Sequence, residues 1–242
     1  MALFDSPVRP RGICRQQGKF VKVLAALEAG VPLRDIHAIL DVGAGAGVYP
    51  LVMAILGKTS HAVDTWAEYD GSNPMGSAGP LLARLVEQGV ATQVADFMKA
   101  ALPYRDGSFD LCFCMDVIEH VPRPKVLLDE ISRVTKERGF LVLETPNAAR
   151  LSNRLRLLAG RSVHHPLTDW YHSDPFFGHC REYTISELRQ MLQWSGLEVI
   201  GLSTHNAALI GRRSVVARGY RALSWWGPSL RNEILVTARK RP

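Results

Sequence analysis

The chain has 242 residues, of which 47% are hydrophobic and 21% are charged, and this composition excludes a disordered tail, a collagen-like fibre and a disulfide-rich miniprotein. At this length a single domain is expected. The net charge of +6 is uneven, because residues 1–147 carry 15 basic and 17 acidic side chains whereas residues 148–242 carry 14 and 6. We therefore expect the positive excess to serve whatever the last 95 residues bind.

Cysteine usage and the N-terminus bear on the compartment of the protein. The four cysteines form no Cys-x-x-Cys pair and no zinc-type spacing. Cys112 and Cys114 alternate in an apolar run, which predicts free thiols on one side of a buried strand. The first residues lack a cationic start followed by an apolar stretch, and no run reaches the ~18–20 apolar residues that span a bilayer. We expect a cytoplasmic protein.

Through residue 147 the chain alternates between strand and helix patterns. Helices are predicted at residues 20–29, after the glycines up to about residue 56, at 81–88, and around 127–134 with Gly139 past the end. Residues 70–80 are predicted to form a loop. Strands are predicted at residues 37–42, 60–65, 90–97, 108–115 and 140–144. Such alternation is typical of a parallel sheet with helices on both faces.

Beyond residue 147 the pattern becomes irregular. A basic helix is predicted at 150–159 and a loop rich in histidine and aromatic residues at 160–182. Thr184 and Glu187 have the spacing of a capping box that opens a helix. Strands at 197–202 and 233–238 enclose a basic insertion with Trp225 and Trp226. The predicted fold is α/β, with a doubly wound, mostly parallel sheet of seven strands and a C-terminal lid insertion at 148–183 and 203–230.

The strongest motif follows the first strand and has an acidic residue two positions before three alternating glycines: Asp41-Val42-Gly43-Ala44-Gly45-Ala46-Gly47. Glycines let a ligand approach the backbone, and the next helix presents free N–H groups there. A nicotinamide dinucleotide fingerprint would need Gly-x-Gly-x-x-Gly, and Val48 occupies its last position. The alternatives are a purely structural tight turn and a site for a cationic or amino-bearing ligand.

Further acidic residues follow the next strands in the same order. Asp64 closes the second strand, Asp96 and Phe97 follow the third, and the fourth ends in the run Met115-Asp116-Val117-Ile118-Glu119-His120. With Thr145-Pro146-Asn147 and the segment His179-x-Arg181-x-x-Thr184, residues 35–240 resemble the class I S-adenosylmethionine-dependent methyltransferases of the ubiquinone-biosynthesis type. The resemblance implies a Rossmann-like methyltransferase fold with an N-terminal helical extension (1–34), a cofactor-binding half (35–147) and an acceptor-binding half (148–242).

The resemblance also implies roles for single residues around S-adenosyl-L-methionine. Asp41 would lie near the amino group of the cofactor, and Gly43, Gly45 and Gly47 would cradle its methionine part. Asp64 would bind both ribose hydroxyls. The remaining cofactor contacts would be Asp96 with the adenine amino group, Phe97 with the adenine ring, and Met115 at the end of the fourth strand.

Methyl transfer to a hydroxyl requires alignment, exclusion of water and a base. His120 is the first candidate base, with a packing or helix-capping histidine as the alternative. His179 is a candidate for contact with the acceptor. Asp116, Glu119 and His120 could together hold Mg²⁺, unless Asp116 faces the cofactor and Glu119 caps a helix.

The basic C-terminal part leaves three interpretations open: a solvated face, a surface for anionic lipid or a lipid-linked acceptor, and a nucleic-acid surface. The fourth strand lacks the Pro-Pro-aromatic and Pro-Cys signatures of nucleic-acid enzymes of this cofactor class, which argues against a nucleic-acid partner. We expect O-methylation of a small-molecule, saccharide-type or lipid-linked acceptor, with peripheral contact at the inner face of a membrane as one option. The alternatives are an RNA methyltransferase and a catalytically silent cofactor-binding partner subunit.

Overall fold

The computed structural model describes residues 11–67, 78–173, 176, 178–206 and 215–242. Its centre is a sheet of seven strands in the order β3-β2-β1-β4-β5-β7-β6, in which β7 alone runs antiparallel to its neighbours. The strands are β1 Ala38–Val42, β2 Thr59–Asp64, β3 Val90–Val94, β4 Phe109–Met115, β5 Thr135–Pro146, β6 Leu197–His205 and β7 Glu233–Lys240. The predicted seven-stranded, mostly parallel sheet is confirmed.

Helices cover both faces of this sheet. They are α1 Arg11–Gly30, α2 Val48–Ile55, α3 Ala78–Glu87, α4 Pro124–Val134, α5 Leu151–Leu158, α6 Leu167–His172, α7 Ile185–Trp194 and α8 Val215–Trp225. Side chains alternate along β4, so Leu111 and Phe113 pack with α1 and α2, whereas Cys112 and Cys114 pack with α4 and α7. Both thiols are free and buried on one face, as predicted. Among the described residues no helix is long and apolar enough to cross a bilayer.

Some boundaries differ from those predicted. Helix α1 begins nine residues before Phe20, and residues 78–80 of the predicted 70–80 loop belong to α3, while the rest of that loop lies outside the described residues. Strand β5 begins directly after α4 at Thr135, so Gly139 lies within a strand rather than past a helix end. The predicted loop at 160–182 contains the short helix α6.

The capping box at the start of α7 is present. The Thr184 hydroxyl accepts a hydrogen bond from the Glu187 amide, and the Glu187 carboxylate accepts one from the Thr184 amide. Leu188 and Leu192 of the helix are buried against the sheet. In the segment that precedes α7, the amides of Cys180 and Arg181 donate to the Glu119 carbonyl, and these hydrogen bonds place His179 beside the end of β4.

Candidate functional site

A cavity of about 450 Å³ opens at the carboxyl ends of β1, β2 and β4, where ligands bind in doubly wound folds. Eight of the predicted site residues line it: Asp41, Gly43, Gly45, Asp64, Phe97, Met115, Asp116 and His120. Gly47, Asp96, Glu119 and His179 lie outside the lining. Ten lining residues were not among the predicted site residues, and four of these contribute large side chains: Lys19, Tyr49, Trp66 and Phe176.

Asp41 is the buried acid at the floor of this cavity. It is 1% exposed, and among the described residues neither carboxyl oxygen has a hydrogen-bond partner. Burial, reinforced by the charge of Asp64, raises the pKa of Asp41 to about 7. A buried carboxyl without a partner needs a cation or a donor to satisfy it. The ammonium group of S-adenosylmethionine meets that need, so the residues present fit the cofactor that the resemblance implies.

The three glycines of the first turn have left-handed backbone conformations, with φ values of 73° at Gly43, 50° at Gly45 and 69° at Gly47. A Cβ at Gly43 would lie 2.3 Å from a methyl carbon of Val117, and one at Gly47 would lie 2.6 Å from a methyl carbon of Leu85. At these two positions the protein itself fills the space that was expected to admit a ligand. The requirement for glycine there is therefore one of backbone conformation and packing.

Asp64 is fixed at the end of β2 by backbone donors. Its Oδ2 accepts a hydrogen bond from the Gly45 amide at 2.8 Å, and its Oδ1 accepts one from the Trp66 amide at 2.9 Å. The indole N–H of Trp66 donates to the Gly45 carbonyl at 2.8 Å. The carboxylate thus faces the cavity in a set orientation, and each of its oxygens retains a lone pair for a further donor.

The neighbouring residues Asp96 and Phe97, which follow β3, have side chains in different surroundings. Phe97 lines the cavity, whereas the Asp96 carboxylate accepts a hydrogen bond from the Met98 amide at 2.9 Å and lies 3.1 Å from the Lys99 ammonium. Although burial opposes it, hydrogen bonding to Lys99 and Met98 lowers the pKa of Asp96. The structure therefore places the ring of this pair in the cavity and the acid outside it.

Lys19, a residue of the N-terminal helix α1, lines the cavity. Its buried ammonium lies 2.8 and 2.5 Å from the two oxygens of Asp116 and 2.6 Å from Oε1 of Glu144. The other oxygen of Glu144 lies 3.1 Å from Nε2 of His205. Asp116, itself in a left-handed conformation with φ 55°, is thereby held by a cation. Sequence reasoning missed Lys19 because 97 residues separate it from Asp116.

His120 and His179 come together because the amides of Cys180 and Arg181 donate to the Glu119 carbonyl, at 2.7 and 3.1 Å. Their rings then meet edge to face, with centroids 4.9 Å apart. Nδ1 of His120 lies 3.2 Å from the Gly178 carbonyl oxygen, which favours the tautomer with the proton on Nδ1. The lone pair of His120 is then on Nε2.

The acids behind these histidines differ in charge state. The Glu182 carboxylate binds Nδ1 of His179 at 3.1 Å and pairs with Arg150, and this hydrogen bond raises the pKa of His179. Glu119 is buried and accepts from the Thr145 hydroxyl at 2.9 Å. Burial and the nearby charge of Asp116 raise the pKa of Glu119 to about 7. The histidine pair therefore lies between two carboxyl groups, Glu182 with a lowered pKa and Glu119 with a raised one.

The predicted metal ligands are not brought together as expected. Among the described residues, the clusters whose ligand atoms lie within 4.8 Å of one another are Glu119–His120–His179 and Asp116–Glu144–Glu233. Asp116 belongs to the second, where the Lys19 ammonium already lies among the carboxylates. The first cluster replaces Asp116 by His179.

A second cavity of about 340 Å³ lies beneath the segment that joins α5 to α7. Phe176 lines both cavities, and His179 forms part of the wall of the second. The rest of the wall combines histidine, apolar and small polar side chains: Ser162, His164, His165, Leu167, Trp170 and Cys180.

The chain is similar in sequence to one protein-family model and to several known proteins. A family model described as a methyltransferase domain matches residues 15–202. A ubiquinone biosynthesis O-methyltransferase of Burkholderia pseudomallei is 26% identical over 184 residues, which cover 72% of this chain and 74% of that protein. An uncharacterized methyltransferase of Mycobacterium avium is 37% identical over 114 residues, 44% of this chain, and the match spans only 38% of that relative's length.

Solved structures share the fold at low identity. An S-adenosylmethionine-dependent methyltransferase of Mesorhizobium loti has a TM-score of 0.62 and 19% identity, covering 92% of this chain and 98% of that chain. A Thermotoga maritima S-adenosylmethionine-dependent methyltransferase, a possible histamine N-methyltransferase, has a TM-score of 0.60 and 15% identity, covering 96% and 93%. At these identities the likeness concerns the fold alone.

Proposed function

The chain belongs to the methyltransferase-domain family and is an S-adenosylmethionine-dependent enzyme, and from that premise we propose that it methylates a hydroxyl group of a small-molecule acceptor. When bound, the cofactor supplies an electrophilic methyl group on a sulfonium. The observation that carries the proposal is the position of His120, which lines the same cavity as the unpartnered Asp41 and follows the end of β4.

We assign the cofactor contacts along the carboxyl edge of the sheet. Asp41 accepts from the ammonium, the oriented Asp64 accepts from the ribose hydroxyls, and Phe97 packs on the adenine ring. Gly43, Gly45 and Gly47 shape the turn, and Met115 lines the wall below it. An adenine contact from Asp96 requires its carboxylate to turn away from the exposed Lys99. Of the predicted lid at 148–183 and 203–230, residues 174, 175, 177 and 207–214 lie outside the described residues, and the described remainder serves as the lid over the acceptor.

His120 is the proposed general base. As the acceptor oxygen bonds to the methyl carbon, the carbon–sulfur bond breaks toward sulfur, and Nε2 of His120 takes the hydroxyl proton. The Gly178 carbonyl supports this role because it accepts from Nδ1 and so keeps the lone pair on Nε2. His179 contacts the acceptor from the second cavity, with Glu182 and Arg150 fixing its ring.

The test is methyl transfer from labelled S-adenosylmethionine to a panel of phenolic and saccharide hydroxyl acceptors. His120→Gln should lower kcat by about 10²–10⁴-fold, while the affinity for S-adenosylhomocysteine stays within about twofold. His37→Gln is the matched control, because His37 is exposed at the opposite end of β1. Full activity in His120→Gln would exclude the base, and no turnover with any acceptor would favour a silent partner subunit.

The residues present do not fit Mg²⁺. This ion prefers oxygen ligands in octahedral geometry, whereas the cluster that faces the acceptor offers one carboxylate and two imidazoles. The remaining predicted oxygen ligand, Asp116, is neutralised by Lys19. The proposed methyl transfer therefore involves no metal ion.

A lipid-linked acceptor at an anionic membrane is the more specific form of the proposal. Helices α5 and α8 contain no acidic residue, and they contact each other where the Tyr220 hydroxyl accepts from the Ser152 amide at 3.3 Å. Large apolar side chains on and beside these helices are exposed, including Leu158 at 85% and Trp226 at 88%. Leu223 of α8 is exposed too. Exposed tryptophan and leucine among arginines suit an anionic lipid interface.

Co-sedimentation with vesicles tests this surface. The protein should bind phosphatidylglycerol vesicles and not phosphatidylcholine vesicles, and binding should weaken about tenfold for Trp225→Ala/Trp226→Ala. Trp194→Ala is the control, since this exposed tryptophan lies at the end of α7, outside the basic helices. Equal binding by both variants would exclude the surface, and tighter binding to RNA than to lipid would revive the nucleic-acid alternative.

A further inference from the structure

Three hydrogen bonds form a closed ring at the mouth of the cofactor cavity. The Gly45 amide donates to Oδ2 of Asp64, the Trp66 amide donates to Oδ1 of Asp64, and the Trp66 indole donates to the Gly45 carbonyl, at 2.8, 2.9 and 2.8 Å. Both backbone groups of Gly45 and both oxygens of Asp64 are therefore fixed by one another or by Trp66. The ring joins the glycine turn after β1 to the end of β2.

Trp66 differs from every other tryptophan of the chain. All five lie in the described part of the chain, and Trp66 is 4% exposed whereas the others are exposed: Trp170, Trp194, Trp225 and Trp226. Its ring packs with Ala44, Ala62 and Leu85 while its surface lines the cavity. One bulky indole thus reaches both the small core beneath the turn and the site itself.

The backbone of Trp66 is strained. Its φ of 46° lies in the left-handed region, which a bulky L-residue enters only at a cost in free energy. Strain of this kind persists where the surrounding structure fixes it, and it concentrates at ligand sites. The strained backbone of Trp66 is held by the hydrogen bonds of its amide to Asp64 and of its indole N–H to Gly45, and by the burial of the indole.

We propose that Trp66 is a positioning residue for S-adenosylmethionine, acting through Gly45 and Asp64. The indole N–H sets the orientation of the Gly45 peptide, which in turn holds the Asp64 carboxylate toward the cavity. Without that donor the turn and the acid sample other orientations, and the cofactor must select the competent one at a cost in affinity. The inference rests on the proposed placement of the cofactor ribose at Asp64.

The direct test measures the Kd of S-adenosylhomocysteine by calorimetry for two changes at this position. Trp66→Phe removes the donor and shrinks the ring, and replacement of Trp66 by 3-benzothienylalanine exchanges only the N–H for sulfur. Each should weaken binding about fivefold or more, the effect expected for one lost hydrogen bond. With saturating acceptor, KM for S-adenosylmethionine should rise by the same factor while kcat stays within about twofold. Trp194→Phe, the exposed control on α7, should bind as the parent protein does.

The outcomes separate this inference from the proposed function. If the parent protein does not bind S-adenosylhomocysteine, the cofactor assignment fails. If it binds and the benzothienylalanine protein has an unchanged Kd, the positioning role is wrong, whatever the effect on thermal stability. If Trp66→Phe does not fold, the benzothienylalanine protein, which keeps the ring volume, decides the question alone.

Discussion

At the level of single residues, Asp41 shows how the site conflicts with the stability of the fold. Its pKa is about 7 in the folded protein because of burial and the charge of Asp64, against about 3.9 in an unfolded chain. Between these values the folded state keeps a proton that the unfolded state has released. The free energy of unfolding therefore falls as pH rises from about 4 to about 7.

Asp41→Asn should remove this pH dependence. We expect the cofactor-free variant to melt about 5 °C higher than the parent protein at pH 8 and at the same temperature near pH 4, because the cost of ionising a buried acid is gone. The same variant should bind S-adenosylhomocysteine at least tenfold more weakly. Melting curves from pH 4 to 8 and calorimetry measure the two effects.

Asp110 supplies a control of opposite sign. Hydrogen bonds from Lys136 and from the His37 and Ala38 amides, opposed by burial, lower its pKa. Its ionised form therefore stabilises the folded protein above its unfolded pKa, and this stability is lost as pH falls through the lowered value. Asp110→Asn should destabilise the protein at pH 8. If both variants move the melting temperature in the same direction, burial does not govern the ionisation of Asp41.

At the level of elements, Lys19 connects helix α1 to the end of β4 and to strands β5 and β7. Its ammonium contacts Asp116 after β4 and Glu144 in β5, and Glu233 at the start of β7 lies 3.9 Å away. The ion pairs with these acids raise the pKa of Lys19 despite its burial. Because the acids are mostly buried, loss of the cation leaves charges without compensation.

Lys19→Met should therefore destabilise the protein by about 3–5 kcal/mol, measured by urea unfolding at pH 7. Lys22→Met is the matched control, since Lys22 is exposed on the same helix, and its effect should stay within about 0.5 kcal/mol. Equal stability of the two variants would mean that the carboxylates near Lys19 take up protons when the cation is removed.

Individual elements also show which features the sequence could predict and which it could not. The capping box of α7 spans four residues. Asp41, Asp64 and Asp116 each lie at or directly after the end of a predicted strand. Local sequence patterns were therefore enough to locate them. Lys19 and Trp66 act through contacts made only when distant segments meet, and no periodicity marks them. The adenine contact of Asp96 stays a prediction, because the side-chain position one residue past a strand end depends on the turn that follows, and here that turn brings the acid to Lys99.

At the level of the whole molecule, the strand order separates the predicted cofactor contacts from the basic C-terminal part of the chain. The predicted cofactor contacts follow β1, β2, β3 and β4, whereas β6 and β7 belong to the basic C-terminal part. The carboxyl groups of Asp41 and Asp64, which line the cavity, suit a cofactor that carries an ammonium and a sulfonium. Part of the excess positive charge lies on α5, as Arg154 and Arg156, and on α8, as Arg218 and Arg221, and we propose that it serves the acceptor or its surroundings.

This division predicts where cofactor binding tightens the structure. On addition of S-adenosylhomocysteine, amide hydrogen exchange should slow by about tenfold or more at residues 43–49, 64–67 and 115–120, because these backbone groups surround the ligand. Exchange in α5 and in β6 should change by less than about twofold, since neither lines the cavity. Mass spectrometry of peptic fragments measures both regions in one experiment, with Asp41→Asn, at a ligand concentration below its Kd, as the weakly binding control. Uniform protection across the sheet would instead mean that the two halves respond as one unit, and a change confined to 151–172 would place the cofactor in the second cavity.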